Sequence, residues 1–315
     1  MAFFYIIKIR FVIGDIKTRA RGEEGMKLTD FVEVEKIEKG WSHEQKYKVT
    51  NAEGKSFLLR ITPIEQYEYK KAEFENMQMI SEMGIPMCKP IEFGTCDEGV
   101  YSLQSWIGGV DAEEAVKTLS NDDVYKYGYE AGEILKKLHS IEVPEGIGEW
   151  EPFFNQKMNQ KIENYKNCPL KYENGDAFIT FIEENRHLLK NRPVTYQHGD
   201  YHIGNLMIDN NGKIVVIDFN RNEFGDPWEE FNRIVWCAQA APMFAKGMVD
   251  GYFAGDVPKE FWDLLALYIS SNALSSLPWA IPYGQDEIDV MIKLADDILD
   301  WYDGMKNTVP KWYSK

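Results

Sequence analysis

The run His198-Gly199-Asp200-Tyr201-His202-Ile203-Gly204-Asn205, with Asp218-Phe219 thirteen positions further on, constrains this chain more than any other feature. Between the two lie Asn205-Leu-Met-Ile-Asp209 and Lys213-Ile-Val-Val-Ile217, both β-like, joined by the strong turn signal Asp209-Asn210-Asn211-Gly212. Folding back on that turn brings Asn205, at the start of one strand, beside Asp218, at the end of the other. Two oxygen donors and a carboxylate at position 200 are what phosphoryl transfer requires. Asp200 can accept a proton from a hydroxyl, while Asn205 and Asp218 can hold Mg²⁺ on nucleotide phosphates.

These residues resemble the H-G-D-x-x-x-x-N and I-D-F/D elements of the aminoglycoside phosphotransferase family. That family is related to choline kinases and, more distantly, to protein kinases, whose H-R-D-x-x-x-x-N and D-F-G do the same work. Residue types, spacing and the intervening hairpin all agree. A metal hydrolase built on His198, Asp200, His202 and Asp218 is the competing reading. It leaves Asn205 idle and is poor in imidazole and thiolate ligands for zinc. A nucleotide-binding pseudokinase is a third reading, although no member of the catalytic set is missing.

Composition narrows the classes. An apolar fraction of 44% in 315 residues is ample for a core. No apolar run approaches eighteen residues, so no membrane span is expected. Four scattered cysteines (Cys88, Cys96, Cys168 and Cys237) lack disulfide or metal spacing and suggest reduced thiols in the cytoplasm. A net charge of −16 argues against a nucleic-acid partner and suits a cationic small molecule, or simply solubility. Residues 1–25 make a poor secretory signal, because Lys8 and Arg10 interrupt the apolar run and no Ala-x-Ala site follows. They read as an extension outside the fold, with Met26 the native start.

An amino-terminal unit is expected over 26–107. Phe31–Ile37, Lys46–Thr50 and Lys55–Ile61 read as an antiparallel meander. Its first turn, Gly40-Trp41-Ser42-His43-Glu44, occupies the place of a kinase nucleotide loop. The resemblance implies a phosphate contact for Ser42 and a phosphate-gripping role for Arg60, which ends the third strand. It also implies that Glu73, on the helical stretch Tyr69–Ile80, pairs with Arg60. Tyr101–Ser105 resembles the strand that leads into the hinge, expected at 105–109. There the Ser105 carbonyl and the Ile107 amide would read adenine.

A carboxy-terminal unit is expected over 108–315. Asn121-Asp-Asp123 caps a helix over Tyr125–Ser140, on which Ala131, Ile134, Leu135 and Leu138 share a face. Its Leu135-x-x-Leu138-His139 ending resembles a family signature whose histidine is structural. Residues 144–169 read as loop, 176–190 as helix, and Pro193–Gln197 as the strand entering the catalytic loop. The segment Asp226-Pro-Trp-Glu-Glu-Phe231 resembles the family's G-D-P-x-x-D/E element, which braces that loop. Asp-Phe-Asn at 218–220, without a following A-P-E, argues against a protein kinase. Aromatic helical stripes fill 228–303, and the last helix spans Gln285 to Asp303 with Gly304 as its stop. Glu229, Glu230, Asp286, Glu287 and Asp289 could offer carboxylates to an ammonium-bearing substrate.

The resemblance therefore implies an α+β, two-lobed, protein-kinase-like fold, with a small antiparallel-sheet lobe and a larger, mainly helical one. The implied activity is transfer of a γ-phosphoryl group from ATP (or GTP), with Mg²⁺, to the hydroxyl of a small molecule. An aminoglycoside leads the candidates; choline-like amino alcohols, sugars, a macrolide and homoserine-like metabolites stay open.

Overall fold

The computed structural model describes residues 31–38 and 44–314. Ser42 and the extension 1–25, both singled out above, lie outside them. The chain divides into two compact units. One comprises the described residues up to Gly109 with 209–211 and 215–219; the other is 110–208, 212–214 and 220–314.

The first unit holds β1 (Phe31–Ile37), β2 (Gln45–Asn51), β3 (Ser56–Thr62), α1 (Tyr67–Glu82), β4 (Pro90–Cys96) and β5 (Gly99–Ser105). Its sheet is antiparallel in the order β1-β2-β3-β5-β4. Alternation decides which face is covered: Val49, Phe57, Leu59, Ile61, Tyr101 and Leu103 meet Phe31 in one buried cluster. The β2–β3 turn closes through the Asn51 side chain, whose Oδ1 accepts from Lys55 N at 2.9 Å. Helix α1 buries Phe74, Met77 and Ile80, and the Phe74 ring meets Phe93 of β4 at 5.5 Å.

The second unit is mainly helical. From Gly109 onward the chain forms β6 (Gly109–Asp111), α2 (Ala112–Ala115), α3 (Asn121–Leu138), α4 (Trp150–Asn167), α5 (Asp176–Asn185), β7 (Thr195–Gln197), β8 (Leu206–Asp209), β9 (Ile214–Val216, of which 215 and 216 belong to the first unit) and β10 (Glu223–Gly225). After these come α6 (Ile234–Ala240), α7 (Pro242–Phe253), α8 (Lys259–Ala280) and α9 (Gln285–Trp301). Helix α3 is capped by Ser120, one residue before the expected Asn-Asp-Asp run: its Oγ accepts from Asp123 N at 3.2 Å. Two Gly-x-x-x-Gly pairs weld α3 to α7. A Cβ on Gly132 would stand 2.1 Å from the Met248 carbonyl, and one on Gly251 2.1 Å from that of Tyr129.

Two expectations need correction. Residues 150–167 are helix, not loop: Trp150, Phe154, Met158, Ile162 and Tyr165 recur every three or four positions and are buried. That narrow stripe sits in a segment so rich in Asn, Gln and Lys that its periodicity is easily overlooked. The second concerns Lys259–Tyr283, which is long and apolar enough to cross a bilayer by length and composition. Its apolar window is 67% buried inside the protein, as befits a helix at the centre of a core.

Candidate active site

The catalytic segment leaves β7, which pairs antiparallel with β10, and bends at once. Gly199 has φ +82°, and a Cβ there would lie 1.8 Å from the Arg221 carbonyl oxygen, so only glycine fits this bend. The loop is held from beneath by the Glu230 carboxylate. His198 N–H donates to its Oε2 at 2.7 Å and Gly199 N–H to its Oε1 at 2.8 Å. Glu230 is 2% exposed, so these are charge-assisted bonds in a site that water does not share. It is a brace rather than a substrate carboxylate, which removes it from the candidates for an ammonium group. Glu229 is also buried, and burial pushes its carboxyl up.

Asp226 anchors the same segment. It accepts from Arg192 Nη2 at 2.9 Å and from the Tyr268 hydroxyl at 2.6 Å, while Tyr268 in turn accepts from Trp150 Nε1 at 3.0 Å. The Asp-Pro segment thus opens not an α-helix but a 3-10 turn, Glu229–Arg233, that projects Glu230 at the loop. His139 is buried, its Nδ1 2.9 Å from the Tyr252 hydroxyl and its Nε2 3.5 Å from Glu230, a structural position.

Asp200 is held by two guanidiniums that sequence reasoning did not anticipate. Arg221 Nη1 lies 3.3 Å from its Oδ2 and Arg233 Nε 3.3 Å from its Oδ1. His202 Nε2 is 3.7 Å from Oδ1. Burial drives the His202 pKa down to about 4, with Arg233, His198 and Arg221 adding to the effect against the pull of Asp200. The ring is therefore neutral at physiological pH, its Nδ1 accepting from Gly204 N–H at 3.1 Å. Asn205 donates Nδ2–H to the Asp200 carbonyl at 2.8 Å, which fixes its amide and turns its Oδ1, the oxygen donor, away from that bond.

Asp218 belongs to the first unit, together with Arg60. The β9 residue before it by two, Val216, donates its N–H to the Pro86 carbonyl at 2.8 Å. Asp218 then adopts φ +67°, a left-handed conformation that Asp tolerates better than most residues and that redirects its side chain. Its Oδ1 accepts from Arg60 Nη2 at 3.1 Å. The expected Arg60–Glu73 bond is absent. Arg60 Nε instead donates to Glu44 Oε2 at 2.7 Å, and Lys70 takes Glu73 at 2.6 Å and also bonds Glu44. Lys70 sits one helical turn before Glu73 and reaches it locally, so the carboxylate nearest the Arg60 fork is the one just ahead of β2. Burial opposes the charge on Arg60, but Glu44, Asp218 and Glu73 outweigh it and raise its pKa. Ser105 closes β5, where its N–H donates to the Lys89 carbonyl at 2.8 Å. Ile107 follows two residues beyond the strand end.

Among the described residues no group of three or more His, Cys, Asp or Glu side chains is arranged to hold a metal ion. The imidazoles of the hydrolase reading are occupied otherwise, for the Nδ1 atoms of His198 and His202 accept backbone N–H groups at 3.3 and 3.1 Å.

Comparison with known proteins is decisive at the level of family. The sequence model of the phosphotransferase enzyme family matches residues 33–262. This chain belongs to that family. Solved structures share its protein-kinase-like α+β fold at low identity. Aminoglycoside phosphotransferase APH(4)-Ia superposes with a TM-score of 0.63 at 17% identity, over 85% of this chain and 93% of that one. A choline/ethanolamine kinase family protein from Mesorhizobium loti gives 0.62 at 13%, over 87% and 90%. A putative fructosamine-3-kinase from Haemophilus somnus 129PT gives 0.60 at 16%, over 85% and 92%. No curated protein matches by sequence. Membership makes the chain a phosphotransferase, and the segment matched takes in both Arg60 and the loop that carries Asp200.

Proposed function

We propose that this phosphotransferase moves the γ-phosphoryl group of ATP to a hydroxyl of a small molecule. The observation that carries the reading is Asp200, poised on a loop whose amides are locked by Glu230, with Asn205 oriented from the Asp200 carbonyl. Asp200 orients the acceptor hydroxyl and takes its proton as the oxygen attacks the γ-phosphorus. The bond from that phosphorus to the β-phosphate oxygen breaks and ADP leaves. Asn205 and Asp218 offer oxygen ligands, which suit a hard cation such as Mg²⁺ better than Zn²⁺ with its nitrogen and sulfur ligands. Asn205 and Asp218 would hold Mg²⁺, which would supply positive charge to the phosphates during transfer. Positioning supplies much of the rate, which is why a rigid loop matters. Ser105 and Ile107 are the backbone candidates for adenine, and GTP is the alternative donor.

An aminoglycoside is the first acceptor class to try. Support comes from the net charge of −16 and from APH(4)-Ia structures solved as ternary complexes with a nucleotide and hygromycin B. One observation favours a second reading, a small neutral or anionic metabolite. The two guanidiniums beside Asp200 would repel a polycation from the point where its hydroxyl must sit. A cytoplasmic setting fits the four free thiols. The test is ADP release from Mg·ATP across aminoglycosides, choline, sugars and hydroxy acids. ADP released with any acceptor, and lost in Asp200→Asn, supports the kinase reading; nucleotide-independent hydrolysis of one of these compounds would overturn it.

A further inference from the structure

The Arg60 fork, assigned to nucleotide phosphate by position, is already spent on protein. Nε holds Glu44 at 2.7 Å and Nη2 holds Asp218 at 3.1 Å. Lys70, the second cation of this cluster, is likewise shared between Glu44 and Glu73. A third cation stands in the same place. Lys46 of β2 is the register partner of Arg60 of β3, so the two side chains rise from one face of the sheet, directly opposite each other. Lys46 is only half-buried, yet among the described residues its ammonium makes no hydrogen bond and no ion pair.

Like charges facing each other across a strand pair disfavour the fold, and a partly desolvated ammonium without a partner adds to the cost. Burial first, then the Arg60 charge, pushes the Lys46 pKa down, against the pull of Asp218 and Glu44. The arrangement makes chemical sense if an anion with several oxygens completes it. Arg60, Lys46 and Lys70 are balanced one for one by Glu44, Glu73 and Asp218, with the carboxylates drawn to Arg60 and Lys70. Lys46 is the donor left over. We propose that Lys46 is the cation that grips the polyphosphate of the nucleotide, with Arg60 acting mainly to hold Asp218 and Glu44 in position. This rests on the kinase reading above and assigns a residue to it that position alone would have passed over. A primary ammonium suits the role, as a compact charge with three donors that can follow the phosphate through the reaction.

The experiment is equilibrium binding of Mg·ATP, Mg·ADP and adenosine, without acceptor, to the full chain and to Lys46→Met, Lys46→Gln and Lys46→Arg. Lys46→Met and Lys46→Gln should weaken ATP and ADP at least tenfold while adenosine stays within twofold. Lys46→Arg should recover affinity to within about threefold, and the two neutral variants should melt no lower than wild type, since they relieve a like-charge opposition. Wild type that binds ATP, with both neutral variants within twofold of it, overturns the role of Lys46 and leaves the kinase reading standing. Equal loss of adenosine and ATP affinity also overturns it, because the lysine would then be shaping the unit instead of holding phosphate. Wild type that binds no nucleotide sinks the kinase reading and the role of Lys46 together. Should Lys46→Met fail to fold, Lys46→Gln decides by the same criteria.

Discussion

Glu230→Gln isolates the brace beneath the catalytic loop. The carboxylate accepts two backbone N–H groups, one on each oxygen, at 2.7 and 2.8 Å, and is 2% exposed. A glutamine of the same shape can accept through one oxygen only, and its NH₂ group must then face the other N–H. One charge-assisted bond is lost, worth about 1.5–3 kcal/mol, and one buried donor is left unpaired at about 1–3 kcal/mol. Local relaxation recovers part of this, so a net loss of about 2–4 kcal/mol is expected. In a unit of this size that lowers the melting temperature by roughly 5–15 °C. The loop amides that turn away are those of His198 and Gly199, immediately before Asp200, so the carboxylate that meets the hydroxyl moves with them. A displacement of about 1 Å at such a site costs on the order of 10²-fold in rate. Urea titration with tryptophan fluorescence reads the first quantity and steady-state ADP release the second, while nucleotide affinity should change little. If Glu230→Gln unfolds within about 0.5 kcal/mol of wild type and turns over within about threefold of it, the brace argument is refuted.

Asp200→Asn should lower kcat by about 10²–10⁴-fold with ATP affinity preserved, as for loss of a general base; the check is single-turnover phosphorylation beside nucleotide binding. Gly199→Ala should cost both stability and rate, because φ +82° is strained for alanine and its methyl would strike the Arg221 carbonyl, displacing an arginine that contacts Asp200; thermal melts and kcat read it together. His202 titrates at about 4 in the folded chain against 6.5 when unfolded, so the folded state binds fewer protons in between. Its contribution is complete above pH 6.5 and is lost as pH falls toward 4. Denaturation midpoints across that window should fall less steeply in His202→Asn than in wild type.

What could be read from the sequence was local, and what could not was set by partners far along the chain. The β8–β9 hairpin announces itself because Asp209-Asn210-Asn211-Gly212 contains its own closure, with Asn211 N–H on Asp209 Oδ1 at 2.9 Å and Gly212 at φ +73°. Position 218 follows from that turn by counting. Helix α4 was hidden because its stripe is a single residue wide, and its value depends on Trp150 meeting Tyr268, over a hundred positions away. Arg233 carries no signal of its own: an arginine in a 3-10 turn is usually solvated, and only the bend that presents Glu230 to the loop also delivers Nε to Asp200.

The first unit shows the same rule with one exception. A carboxylate was expected to steady Arg60, and one does, but position by analogy selected Glu73 on α1 where distance selects Glu44 at the mouth of β2. Lys46 was within reach of sequence reasoning. Counting back from the Asn51–Gly54 turn through an antiparallel pair sets it opposite Arg60 without any knowledge of tertiary structure. A lysine facing an arginine on one sheet face is an unfavourable pair in an empty protein, and unfavourable pairs kept at a site are where ligand charge should be sought. The same argument applies beside Asp200, where two guanidiniums converge on one carboxylate. Both clusters of positive charge lie in a protein whose net charge is −16, so the local field at each departs from the overall acidity.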